Sequence, residues 1–303
     1  MIATDGTWNP DERGLYFLAG SFMKSAFELV AGPRPTRFLV ALNDLVAVDQ
    51  EPGDELALLD YHLALGHDVF LDSGVFWLTN RHKDAHGVSM NDALALHPTE
   101  IDHFDWLYDS FVTVCTRYRD RLWGYTEIDQ GGAERKRETR AKLHAAGLNP
   151  IPVYHPLNDG WDYFDELCTT HDRVAFGNVV QAARPTRMRL LATGTERHRE
   201  YPGTFIHWLG LTPCDLTLAY PFDSCDSSSW LGAARWASNS ATSMSHARFA
   251  TPHEASYRLG DGASSVWQRA ALFIEQDARQ TIIDHWSQRL TNELDFVTYP
   301  VPA

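Results

Sequence analysis

Short apolar runs recur along this chain, with helix-patterned segments between them. Thr36 to Leu42, Val69 to Asp72, Leu122 to Ile128, Ile151 to Tyr154, Arg173 to Phe176, Phe205 to Leu209 and Leu216 to Tyr220 are each continuous and strand-sized. Helical periodicity covers Glu55 to Leu65, His97 to Tyr118, Ala133 to Ala146, Trp161 to Thr170, residues 182 to 200 despite Pro185, and Gln268 to Leu290. Strands that are apolar on both faces and alternate with helices form a parallel sheet covered on both sides. With His246 to Ala250 as a weakly signalled eighth strand, the expected fold is a single-domain (β/α)8 TIM-type barrel. Residues 1–35 then form an N-terminal extension, and residues 268–303 a C-terminal helix and tail.

Composition sets the limits. The 303 residues are 44% hydrophobic and 12% aromatic, enough for a large core and too much for a disordered chain. No run of eighteen apolar residues is present, so no membrane span is expected. The N-terminus lacks the basic and apolar regions of a signal peptide. Cys115, Cys168, Cys214 and Cys225 are scattered without a CxxC, so neither a disulfide framework nor a cysteine zinc motif is expected. The expected setting is the cytoplasm (a host's cytoplasm if the source is viral), with no cofactor and no metal. The net charge of −14 repels polyanions at long range, so a nucleic-acid partner requires basic residues gathered on one face.

In a parallel α/β sheet, chemistry gathers where strands end. Those ends carry Asp72, Asp129, His155, Gly177-Asn178, Leu209-Gly210, and the pair Asp223 and Asp226. Any one of these carboxylates has an ordinary explanation as a cap or ion-pair partner; several at one rim point to a site. Of the pair, Asp226 is the later residue, nearer the rim and beside the hydroxyls of Ser227 to Ser229, and Asp223 is expected to be held by backbone donors or a neighbouring strand. Basic residues concentrate in Arg135 to Lys142 and in Arg184, Arg187, Arg189, Arg197 and Arg199. The first group is diluted by Glu134 and Glu138 and fits a solvated helix face. The second is the candidate phosphate contact, above all Arg184, Arg187 and Arg189.

Asp72-Ser-Gly-Val-Phe76 at a strand end resembles the base-recognition motif of the tRNA-guanine transglycosylase superfamily, usually Asp-Ser-Gly-Gly-Phe-Gln. Asp223-x-x-Asp226, about 150 residues later, resembles that family's Asp-x-x-Asp, whose second carboxylate is the nucleophile. The resemblance spans residues 36–230 motif by motif. It implies that Asp72 and Ser73 contact the purine edge, that Asp129 and His155 bind the exchanged base, and that Gly177 and Gly210 let it approach the backbone. Val75 and Trp77 depart from the motif, and residues 227–303 lack the cysteines of the family's zinc site. A zinc-less chain is similar to the phage-type DNA 7-deazaguanine transglycosylases, which implies DNA as the substrate, with a tRNA enzyme as the same-class rival and guanine or a 7-deazaguanine as the small-molecule partner. A carbohydrate glycosidase uses the same carboxylate chemistry and fits the acidic charge and ten tryptophans. A catalytically silent base-binding subunit is the third alternative.

Overall fold

In the computed structural model the described residues are 14–20, 37–48, 55–211, 223–229, 273 and 277–285. Their strands are β1 (Leu15–Ala19), β2 (Arg37–Ala41), β3 (Asp68–Asp72), β4 (Gly124–Tyr125), β5 (Val153–Tyr154), β6 (Arg173–Phe176), β7 (Phe205–Trp208) and β8 (Ser224–Ser227). They belong to one eight-stranded sheet in the order β4-β3-β2-β1-β8-β7-β6-β5, and the paired registers are parallel. The helices are α1 (Glu55–Ala64), α2 (Val75–His86), α3 (Met90–Ala95), α4 (Phe104–Tyr118), α5 (Gly132–Ala145), α6 (Trp161–Thr170) and α7 (Arg184–His198), followed by helical residues 277–285. The fold is therefore α/β with an all-parallel sheet. Contact clustering divides the chain into two compact units, one built on Pro35–Asn178 and the other on Met1–Ala19 and Val179–Ala303.

In the Pro35–Asn178 unit, β2, β3 and β4 run side by side, as do β5 and β6, and a Thr126–Ile151 bridge carries the parallel ladder from β4 to β5. Val69, Phe70 and Leu71 are fully buried, as expected of a strand covered on both faces. Helix α4 buries Leu107, Phe111, Val114, Cys115 and Tyr118, the spacing of a single helical face. Helix α5 is different. It buries Lys136, Thr139, Arg140 and Leu143, so two charges of a helix expected to be a solvated face point inward. Lys136 Nζ meets Asp159 at 2.6 Å and Arg140 meets Glu127 at 2.8 Å. Buried charges persist only when paired in this way.

In the other unit, β1 pairs with β8 and β8 with β7. Two strand expectations are corrected. Leu15–Ala19, assigned above to an extension, is a strand buried along its whole length. The last described strand is Ser224–Ser227, so Asp226 lies within a strand and Asp223 directly before it. The expected strands at 216–220 and 246–250 and most of the 268–290 helix lie outside the described residues. Helices α2 and α3 were not anticipated; α2 starts abruptly after Gly74, whose φ of 79° suits glycine alone.

Candidate functional site

The strand ends of the Pro35–Asn178 unit bring several predicted residues together. Asp72 closes β3, and its Oδ1 accepts the Gly74 N–H at 2.8 Å, tightening the turn into α2. Ser73 is buried, its N–H donating to Thr126 Oγ1 at 3.0 Å and its hydroxyl lying 3.5 Å from Asp129 Oδ1. The other oxygen of Asp129 pairs with His155 Nε2 at 2.7 Å. His155 follows β5 directly and is almost wholly buried. Ser73, Asp129 and His155 thus form one chain of contacts, with Asp129, its side chain 15% exposed, in the middle. Burial works against the charge on Asp129, but hydrogen bonding from His155 and the positive charges of His155 and Lys136 outweigh it and hold the carboxyl below its ordinary range.

A second layer fixes this group. The His155 N–H donates to Asp159 Oδ2, which also takes the Lys136 ammonium. Lys136 also donates to the Val153 carbonyl, so one lysine braces both the strand and the turn that carry His155. Glu127 accepts from the Val153 N–H through one oxygen and from Arg140 through the other. Burial pushes the Glu127 carboxyl up to about 7, against the pull of Arg140 and Lys136. Gly177 follows β6, and a Cβ there would stand 2.9 Å from His155 Cδ2. The glycine is required by the imidazole edge. Asn178, beside it, adopts φ 47° and donates to Asn158 Oδ1.

The remaining predicted residues belong to the other unit. His207 on β7 is in register with Ser224 on β8, and Asp226 is two residues further on the same strand face. His207 Nδ1 lies 2.7 Å from Ser224 Oγ and Nε2 lies 3.1 Å from Asp226 Oδ1. A serine proton on Nδ1 with Nε2–H directed at the carboxylate satisfies both contacts. The Gly210 N–H also donates to Asp226 Oδ1, at 2.8 Å. Both donors therefore reach Oδ1, and among the described residues Oδ2 carries none. Asp226 is buried in this setting, and Phe17 on β1 closes on the His207 ring edge-on at a centroid distance of 5.8 Å. Asp223 accepts the Ile206 N–H at 2.8 Å and lies 3.8 Å from His198. Gly210 thus contributes a backbone donor. His207, the imidazole in this group, had been read only as part of a glycine-containing strand end.

The basic residues separate on inspection. Arg187 donates to the Val179, Val180 and Ala182 carbonyls and so closes the turn before α7. It is committed to the fold, unlike the exposed Arg184 and Arg189. Arg135 and Arg137 pair with Glu138 and Glu166. A further group, His82, His86 and Asp102, offers nitrogen and oxygen atoms close enough together to hold a metal. Its signal in the sequence is the His-x-x-x-His spacing of His82 and His86, which cysteine positions do not reveal.

No protein-family model matches this chain. No curated protein matches it either. Among solved structures it is similar to the carboxyl transferase domain of Rhizobium etli pyruvate carboxylase with 3-bromopyruvate, at 11% identity and a TM-score of 0.42, covering 90% of this chain and 48% of that one. The same domain with 3-hydroxypyruvate gives 12% identity and a TM-score of 0.42, covering 91% and 49%. The chain spans about half the length of these structures. Among the described residues, no helix is long and apolar enough to cross a membrane.

Proposed function

We propose that this chain is a base-exchanging transglycosylase, a pentosyltransferase that replaces guanine in a nucleic acid, DNA in preference to tRNA, with a 7-deazaguanine. The observation that carries the reading is Asp226. A buried strand carboxylate has Oδ1 held by the Gly210 N–H and His207, while Oδ2 has no donor among the described residues. A nucleophilic carboxylate has this requirement: one oxygen fixed, the other available to carbon.

In this reading Asp226 Oδ2 attacks C1′ of the target nucleoside as the bond to the purine nitrogen breaks. The bonding pair leaves with the base, which takes a proton, and a glycosyl ester remains on Asp226. The incoming 7-deazaguanine then attacks C1′ through its ring nitrogen, displaces the carboxylate and gives up its proton. Asp72 is assigned to carry that proton in both directions. Asp129 accepts from the base edge, with His155 and Ser73 holding it in place. The target nucleotide must leave the duplex stack first, and Arg184 and Arg189 are assigned to its phosphates.

The reading takes the fold as a closed single-domain (β/α)8 barrel working in the cytoplasm. The test is exchange itself. Radiolabelled guanine or a 7-deazaguanine, incubated with the chain and DNA or tRNA, should enter DNA and should not do so with Asp226→Asn. No incorporation into either nucleic acid overturns the proposal. Release of reducing sugar from a glycoside would favour the glycosidase instead.

A further inference from the structure

Helix α2 leaves the candidate site at its first residue and ends about 18 Å away at His86, at the helical rise per residue. Its C-terminal end carries His82 and His86, four residues apart and therefore on one helix face. Their rings lie 4.2 Å apart, centroid to centroid, and are tilted by 33°. Asp102, from the turn between Pro98–Glu100 and α4, brings Oδ2 within 3.7 Å of His86 Nε2. One ligand atom from each of the three lies within 4.8 Å of the other two.

A second observation points to a ligand. His82 Nδ1 is buried and has no hydrogen-bond partner. A buried ring nitrogen without a partner costs stability, and a lone pair on an imidazole edge is a natural metal ligand. The helix end favours a cation as well, because the unsatisfied carbonyls of a last turn carry partial negative charge.

We propose that His82, His86 and Asp102 form a binding site for one divalent transition-metal ion of zinc's ligand preference. Two imidazoles and one carboxylate are borderline donors, suited to zinc, cobalt or nickel rather than to calcium or magnesium, which require oxygen. Ligand atoms at a tetrahedral centre stand about 3.3 Å apart. The His86 and Asp102 side chains are 52% and 73% exposed, so they can rotate the remaining distance. Three protein ligands leave a position for water or an outside group. The ion would tie the end of α2 to the turn before α4, and so would hold the helix whose start forms the Asp72-Ser73-Gly74 turn. The site is independent of the transglycosylase reading.

The test uses the full chain after chelator treatment, titrated with Zn²⁺ by calorimetry, and with Co²⁺ for its visible absorption. One ion per chain is expected, with a rise in melting temperature on binding. His86→Ala and Asp102→Asn, both at exposed positions, should weaken binding by about tenfold or more and remove the rise. His82→Gln should do the same and serves where His82→Ala fails to fold. Absence of stoichiometric binding overturns the proposal, as does unchanged affinity in both His86→Ala and Asp102→Asn.

Discussion

Two carboxylate–imidazole pairs stand in or just beyond strands of this chain, and they are built differently. Asp129 and His155 come from segments that follow β4 and β5. Neither side chain is fixed by strand geometry, so a network behind them does the work: Lys136 and Asp159 for the histidine turn, Glu127 and Arg140 for the strand. Asp226 and His207 lie within adjacent strands, with Gly210 donating from the chain just beyond β7. Their positions follow from register alone, because His207 faces Ser224 and Asp226 is two residues on. The first pair is held by a charge network, and the second by strand register and one backbone donor. In the proposed reaction the first pair is assigned to the exchanged base and the second to attack on carbon.

The largest expected effect separates the pairs by chemistry. Asp226→Asn should lower exchange by about a thousandfold or more while the protein folds and still binds nucleic acid. His155→Ala should instead raise the KM for the incoming base more than it lowers kcat. Equal effects of the two substitutions on both parameters would erase the distinction.

The next prediction concerns stability. Lys136→Met leaves Asp159 buried without its cation and should cost about 3–5 kcal/mol in denaturant unfolding. His207→Gln, which breaks the register-built pair without stranding a charge network, should cost clearly less. The network around the first pair also makes stability depend on pH. Burial raises the Glu127 carboxyl to about 7 in the folded state, above the ordinary carboxylate range. The folded protein then binds the proton more tightly than the unfolded chain, so this group's contribution to stability falls as pH rises from about 4.5 through about 7 and is flat above. Glu127→Gln should remove that slope. Asp129 acts the other way: its folded carboxyl is held low, so its contribution is present above the ordinary range and is lost only in stronger acid. A slope unchanged by Glu127→Gln would contradict the assignment.

The sequence carried these two regions unequally. Asp72, Asp129, His155 and Gly177 were legible because each follows a short apolar run, and a strand end can be read from the hydrophobic pattern. The network behind them was not: the basic character of α5 looks like a solvent face, and only the fold shows Lys136 and Arg140 turned inward. Asp226 was found by spacing, although Ser-Cys-Asp-Ser is too polar to read as a strand and the strand was placed earlier in the chain. Leu15–Ala19 lies among glycines and charges that mask it in the sequence, although all five of its residues are buried. His207 was passed over because its meaning depends on the residue across from it in register, which no single strand's sequence contains.

Smaller effects should refine the contrast. Gly177→Ala places a Cβ against the His155 ring and should weaken base binding about tenfold, with little change in the rate at saturation. Smallest of all, Arg187→Ala should lower stability by about 1 kcal/mol through lost bonds to three carbonyls, and leave the salt dependence of DNA binding unchanged. Arg184→Ala and Arg189→Ala should each flatten that dependence instead. An Arg187→Ala protein with a flattened slope would return that residue to the nucleic-acid surface.

The most direct measurement is covalent capture. The chain is mixed with guanine-containing DNA and no incoming base, quenched in denaturant, digested and examined by mass spectrometry. The account predicts a DNA adduct on the peptide containing Asp226, abolished by Asp226→Asn and retained by Asp223→Asn. An adduct that survives Asp226→Asn, or one that maps to Asp223, would contradict it.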